Sequence, residues 1–134
     1  MKIILDANVL FAALLSDGLT RKLILSLDGL IAPEFLLEEF EKHRDYLKEK
    51  SGNPRFDVSE RELLRRISFI PTEDLKPYKK EAIAIIGHID IDDVAYIACA
   101  LAHSCAIWSD DAHFRKQDII PVFTTAQMRR NHSF

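Results

Sequence analysis

The sequence predicts a parallel α/β sandwich, and three observations carry that expectation. Short β-branched or aliphatic runs recur along the chain, at Lys2 to Leu5, Leu30 to Ala32, Ile67 to Ile70, Ala106 to Trp108 and Ile120 to Phe123. Longer segments with helical patterning separate most of them, and such alternation is what a parallel sheet with crossover helices requires. The 134 residues, 48% apolar and 29% charged, have the size and balance of one compact domain, with no room for a second.

The elements follow in order. Lys2 to Leu5 is a strand ending at Asp6, and the apolar stretch after Asn8 is long enough for a first helix that stops near Asp17-Gly18. Leu19 to Leu27 reads as a second helix halted by Asp28-Gly29. After the brief strand Leu30 to Ala32, Pro33 opens a third helix running to about Lys50, because proline is at home in a first helical turn. Ser51 to Asp57 is the only linker-like stretch, and it joins two charged helices that form an outer hairpin between Glu38 and Arg66. The fourth helix, Ser59 to Arg66, opens on Ser59 and Glu62 at the spacing of a capping box. Ile67 to Ile70 is a strand ended by Pro71, and Tyr78 to Ile86 is a helix stopped by Gly87. A loop from His88 to Asp92 then leads into the strongly apolar helix Asp93 to His103. The strands Ala106 to Trp108 and Ile120 to Phe123 and a last helix after Thr125 complete the chain.

Several classes are disfavoured. The apolar opening is interrupted by Asp6 and Asn8 and lacks a clean cleavage site, so it does not read as a signal peptide. No segment reaches the roughly 20 apolar residues of a membrane span, and a cytoplasmic protein without membrane contact is expected. Cys99 and Cys105 match no metal or redox spacing and read as structural. The net charge of −3 does not advertise nucleic-acid binding. Setting aside four acids as metal ligands leaves the remainder nearly neutral, so charge does not exclude it either.

In open parallel sheets functional groups gather at the carboxyl ends of the strands. Asp6 stands directly after the first strand, Asp110 and Asp111 follow Ala106 to Trp108, and Asp90, Asp92 and Asp93 precede or open the apolar helix. Each has an ordinary alternative: capping explains an Asp at a helix start, Asp93 above all, and turn formation explains Asp110 and Asp111. In the third helix, with Leu36, Phe40 and Leu47 as the buried stripe, Glu39 falls within about 60° of Leu36 while Glu38 points roughly the other way. If Asp6, Glu39, Asp93 and Asp111 converge, charges about 4 Å apart repel by about 4 kcal/mol per pair at an effective dielectric near 20. Such a cluster must take up protons or a cation. An oxygen-only ligand set points to Mg²⁺ or Mn²⁺ rather than zinc.

With these residues assembled, nearly the whole chain resembles the PIN-domain family, which includes the toxin ribonucleases of prokaryotic toxin–antitoxin pairs. ILDANVLFAAL is similar to the first motif, a strand ending in Asp6 with a small polar residue, Asn8, two positions on. IAPEFLLEEF resembles the second, carried by Glu39, and DIDDVAYIACALA the third, with Asp93 as principal acid and Asp90 as auxiliary. IWSDDAHF resembles the fourth, in which Ser109 precedes Asp111 by two positions. The doublets Glu38-Glu39, Asp92-Asp93 and Asp110-Asp111 leave one-residue alternatives in the last three motifs.

The resemblance implies a three-layer α/β/α sandwich whose short parallel sheet runs in the order 3-2-1-4-5, which would make Asp6 and Asp111 neighbours. It implies a Mg²⁺- or Mn²⁺-dependent endoribonuclease in which Asp6, Glu39, Asp93 and Asp111 hold the metal and need no protein nucleophile. Asn8, Ser109 and Asp90 would support those carboxylates by hydrogen bonds. Arg115 and Lys116, with Arg129 and Arg130 nearby, could hold substrate phosphates, although exposed cations are more often merely solvated. His113 reads as a surface hydrogen-bonding group rather than a base. A small antitoxin protein and a homodimer are the partners the resemblance suggests.

Rival readings are a phosphatase of the haloacid dehalogenase type, a receiver-like signalling domain, and a PIN-like module that binds RNA or protein without cutting. The first normally places a second Asp two residues after the strand-end Asp, where this chain has Asn8. The second normally carries an acidic pair at the first strand, and Asp6 has no acidic neighbour. The retained acids weigh against the third.

Overall fold

The computed structural model describes residues 1–131. Five short strands, β1 (Ile3–Leu5), β2 (Leu30–Pro33), β3 (Ile67–Ile70), β4 (Ala106–Trp108) and β5 (Val122–Phe123), form one sheet. Its order is β3-β2-β1-β4-β5 and every pairing is parallel. β1 and β2 are buried along their whole length, which explains why they read as continuous apolar runs rather than alternating ones.

The order dictates where the helices lie. From β1 to β3 the chain moves one way across the sheet, and from β3 to β4 it returns past β1, so right-handed crossovers place the two sets of helices on opposite faces. One face holds α1 (Ala7–Leu15), α2 (Leu19–Ser26), α3 (Phe35–Ser51) and α4 (Phe56–Leu64), with α1 packed on α2, α3 and α4. The other holds α5 (Thr72–Leu75), α6 (Lys79–Ala82) and α7 (Val94–His103), with α7 packed on β1, β2 and β4. The last helix, α8 (Thr125–Asn131), follows β5 and touches α2. The α/β fold class is therefore as expected.

Several boundaries differ from expectation, each for a local reason. Pro33 ends β2, opposite Ile70, instead of opening a helix. It lies beyond the last residue of β2 paired with β1, so its missing N–H breaks no bond on that side. α3 begins at Phe35 and ends at Ser51, where Gly52 takes the left-handed conformation (φ 60°) that a helix terminus favours. α4 starts three residues before Ser59, because Asn53 builds the turn: its side-chain oxygen accepts from Arg55 N at 2.9 Å and its carbonyl from Phe56 N at 3.1 Å. Ser59 is thus inside the helix, and no capping box forms. Arg44 ties α3 to α4 through Asp57, at 2.8 Å, and Glu60.

The helix expected from Tyr78 to Ile86 begins earlier and is broken: after α5 comes a 3-10 turn at Lys76–Tyr78, then α6, then a π turn at Ile83–Gly87. Pro77 has no N–H to continue an α-helical ladder, which accounts for the first break. α7 starts at Val94, after a 3-10 turn over Ile91–Asp93. β5 is shorter than expected because Gln117 occupies the backbone of the approach, accepting from Ile119 N at 3.0 Å and Ile120 N at 2.8 Å. Gly29 allows a close approach at the start of the sheet, since a Cβ there would sit 1.8 Å from the Met1 carbonyl oxygen.

Candidate active site

The site forms where the chain reverses direction across the sheet, between the carboxyl ends of β1 and β4. Asp6 leaves β1 with its backbone N–H bonded to the Trp108 carbonyl at 3.1 Å, so the end of β1 is stitched to the end of β4. Its side chain is 4% exposed and makes no cap bond to α1. Instead the fully buried Ser109 hydroxyl donates to Asp6 Oδ2 at 2.8 Å. Ser109 Oγ in turn accepts from Asp111 N at 2.9 Å, so Ser109 locks the two strand ends together. Burial pushes the Asp6 carboxyl up to about 6 against the Ser109 hydrogen bond, with the charges of Glu39 and Asp111 adding to the rise and the Asn8 backbone N–H opposing it. Asn8 is exposed, and its part in the site is this backbone group.

Glu39 stands on α3, half-buried, and accepts a hydrogen bond from the buried Tyr96 hydroxyl of α7. Burial raises its pKa, the Tyr96 bond opposes this, and the charge of Asp92 raises it further, with His43 and Lys42 lowering it. Tyr96 is held edge-on between Phe35, at 6.4 Å between ring centroids, and Phe114, at 6.0 Å. Burial and the Glu39 carboxylate keep its hydroxyl protonated well beyond the ordinary tyrosine range. Tyr96 is not among the site residues expected from the sequence, although three residues after Asp93 on a helix is a position on the same face.

Asp93 is the least satisfied acid. It is 7% exposed, makes no cap bond to α7, and among the described residues nothing pairs with its buried Oδ2. The ordinary capping role is taken by Asp90, whose Oδ1 accepts from Asp92 N at 2.9 Å. Burial first, then the charges of Asp90, Asp6, Asp111 and Glu39, push the Asp93 carboxyl up to about 8. The charges of Asp6, Glu39 and Asp111 thus reach Asp93 from three other parts of the chain, while the ligand atoms that lie within 4.8 Å of one another among the described residues are those of Asp90, Asp93 and His113.

The doublets separate by burial. Glu38 and Asp92 are exposed and line a groove of about 440 Å³ together with Phe35, Lys76, Lys79 and Ile91, whereas Glu39 and Asp93 turn inward. Asp110 is exposed and binds Thr125 N at 2.7 Å and Oγ1 at 2.6 Å at the start of α8, whereas Asp111 is partly buried and accepts from His113 N at 2.9 Å. Arg115 and Lys116 sit in a 3-10 turn anchored by the buried Phe114 and extend into solvent. His113 is drawn into the cluster more closely than its sequence context implied, with Nδ1 3.1 Å from Asp90 Oδ2 and 3.9 Å from Asp111 Oδ1.

An orphaned, buried carboxylate oxygen surrounded by further carboxylates is costly unless protonated or matched by a cation, and oxygen donors suit a hard divalent ion. The residues present therefore fit such an ion. A sheet of order 3-2-1-4-5 with acids converging at its switch point is a nuclease fold of the PIN type. The chain belongs to the PIN-domain family, whose PIN domain matches residues 4–131. PIN domains are generally nucleases that hydrolyse phosphodiester bonds and typically use divalent metals. Neither the curated proteins nor the solved structures include a match to this chain.

Proposed function

We propose that this chain is a Mg²⁺- or Mn²⁺-dependent endoribonuclease whose catalytic and metal-holding residues are Asp6, Glu39, Asp93 and Asp111. The observation that carries the reading is the buried Asp93 Oδ2, unpartnered among the described residues while four other acids raise its pKa. When bound, the ion would acidify a water and offset negative charge on the phosphate. The protein's own contribution is orientation. Ser109 fixes Asp6 and, through the Asp111 backbone, the β4 loop; Tyr96 fixes Glu39 by donating to Oε1. These bonds hold the carboxylates in place before an ion arrives, which lowers the reorganisation required on binding.

RNA would approach over the open strand ends, where the exposed Arg115 and Lys116 can meet phosphates and keep the strand in register. The role of toxin in a toxin–antitoxin pair, with a small antitoxin partner and a homodimeric assembly, rests on the family resemblance. So does a cytoplasmic location; no helix among the described residues is long and apolar enough to cross a membrane.

The test compares wild type with Asp6→Asn on structured and unstructured RNA in Mg²⁺, Mn²⁺ or EDTA. Cleavage should require a divalent ion, and the substitution should lower it at least about 100-fold, as loss of a principal electrostatic group does. Cleavage indifferent to both EDTA and Asp6→Asn would refute the mechanism. RNA that is bound but left intact in Mn²⁺ would point to a binding module instead.

A further inference from the structure

We propose that His113 joins Asp90 and Asp93 in a mixed nitrogen and oxygen cation position at the edge of the acid cluster, which selects Mn²⁺ over Mg²⁺. The inference rests on the reading of the cluster as a cation site and adds to it a ligand that is not a carboxylate.

Asp90, Asp93 and His113 each offer one ligand atom, and these atoms all lie within 4.8 Å of one another. Bonds of about 2.1 Å put neighbouring ligands of an octahedral ion about 3.0 Å apart and opposite ones about 4.2 Å apart, so the three atoms need draw in by at most about 0.6 Å to share a single ion. The 3.1 Å between His113 Nδ1 and Asp90 Oδ2 equals one such edge, so an ion can take both atoms as neighbouring ligands. The independent observation is Asp93 Oδ2, which is buried and has no partner among the described residues. If the imidazole served only as a hydrogen-bond partner of Asp90, that oxygen would still be without a counterpart.

The placement of the ring is built rather than accidental. The His113 backbone N–H is held by Asp111 Oδ1 at 2.9 Å, and the next residue, Phe114, is fully buried against Tyr96. Asp90 is fixed on its other oxygen by Asp92 N at 2.9 Å. The two segments that face each other, after β4 and before α7, are thus both constrained. Mg²⁺ keeps to oxygen and water, whereas Mn²⁺, though it too is at home among oxygen ligands, accepts one imidazole nitrogen in their place more readily than Mg²⁺ does.

The test is pulsed EPR on the whole chain loaded with Mn²⁺ alone, which reads coupling between the ion and a directly bound imidazole nitrogen, combined with titration of Mn²⁺ and Mg²⁺ affinity. Wild type should show one nitrogen coupling, and His113→Ala should lose it. Outer partners of metal ligands are themselves worth about 10- to 100-fold in affinity, so His113→Ala should weaken Mn²⁺ at least about tenfold while changing Mg²⁺ much less. His113→Asn, which can still bond Asp90 but carries no imidazole, should lose the coupling as well and serves if the alanine variant melts early. Mn²⁺ bound without nitrogen coupling in wild type overturns this inference and leaves the carboxylate site standing, as does a coupling that survives both substitutions. Absence of any Mn²⁺ binding overturns both.

Discussion

Tyr96 and Ser109 do the same work from opposite sides of the site: each is a buried hydroxyl that donates to a carboxylate whose burial opposes its charge. Tyr96→Phe keeps the ring and its aromatic neighbours and removes only that donor. Glu39 should then titrate still higher, and Mn²⁺ affinity should fall by about tenfold with its pH midpoint displaced upward. A change in melting temperature alone, with the midpoint unmoved, would reduce Tyr96 to packing. The doublets were only partly legible for a comparable reason. Helical periodicity separates Glu38 from Glu39 because adjacent helix positions diverge by about 100°. No period distinguishes Asp110 from Asp111 in a loop, and their difference appears only when α8 is docked and Thr125 reaches Asp110.

That division of labour gives a prediction about α8. Asp110 caps it from outside, so Asp110→Ala should cost about 1 kcal/mol, read as a lower midpoint in urea, and leave Mn²⁺ binding intact. Asp111→Asn should show the reverse pattern, with Mn²⁺ affinity lost and the midpoint little changed. If both variants lose Mn²⁺ equally, the assignment of inward and outward acids is wrong. Among the elements, the strands were legible because buried parallel strands are continuous apolar runs. The helix boundaries were less so. Side chains that build turns, such as Asn53 and Gln117, and a proline at a strand end, as at Pro33, compete locally with the signals that ordinarily mark a helix start.

For the molecule as a whole, the acid cluster opposes folding when no ion is present. Asp6 and Asp93 both bind protons more tightly folded than unfolded, their carboxyls lying at about 6 and about 8 against an ordinary 3.8. Protonation therefore supports the fold at low pH, and that support is lost as pH rises through the two folded values. In EDTA the melting temperature of wild type relative to Asp93→Asn should fall progressively between about pH 4 and about pH 8, and Mn²⁺ should restore it for wild type alone. A difference that does not vary with pH would show that the cluster is not under this strain.

What the amino-acid order settled was the α/β class and, through four short motifs in series, the family and with it the strand order. Those features depend on local apolar pattern and on which residue types follow each strand, and both survive in a linear string. Which acids turn inward, how far their protons are held, which hydroxyls brace them and how close His113 stands to Asp90 depend on groups up to 103 residues apart, as in the Ser109–Asp6 bond. Burial and through-space charge act between such groups only once the sheet has brought β1 beside β4, so they could be read only from the folded chain.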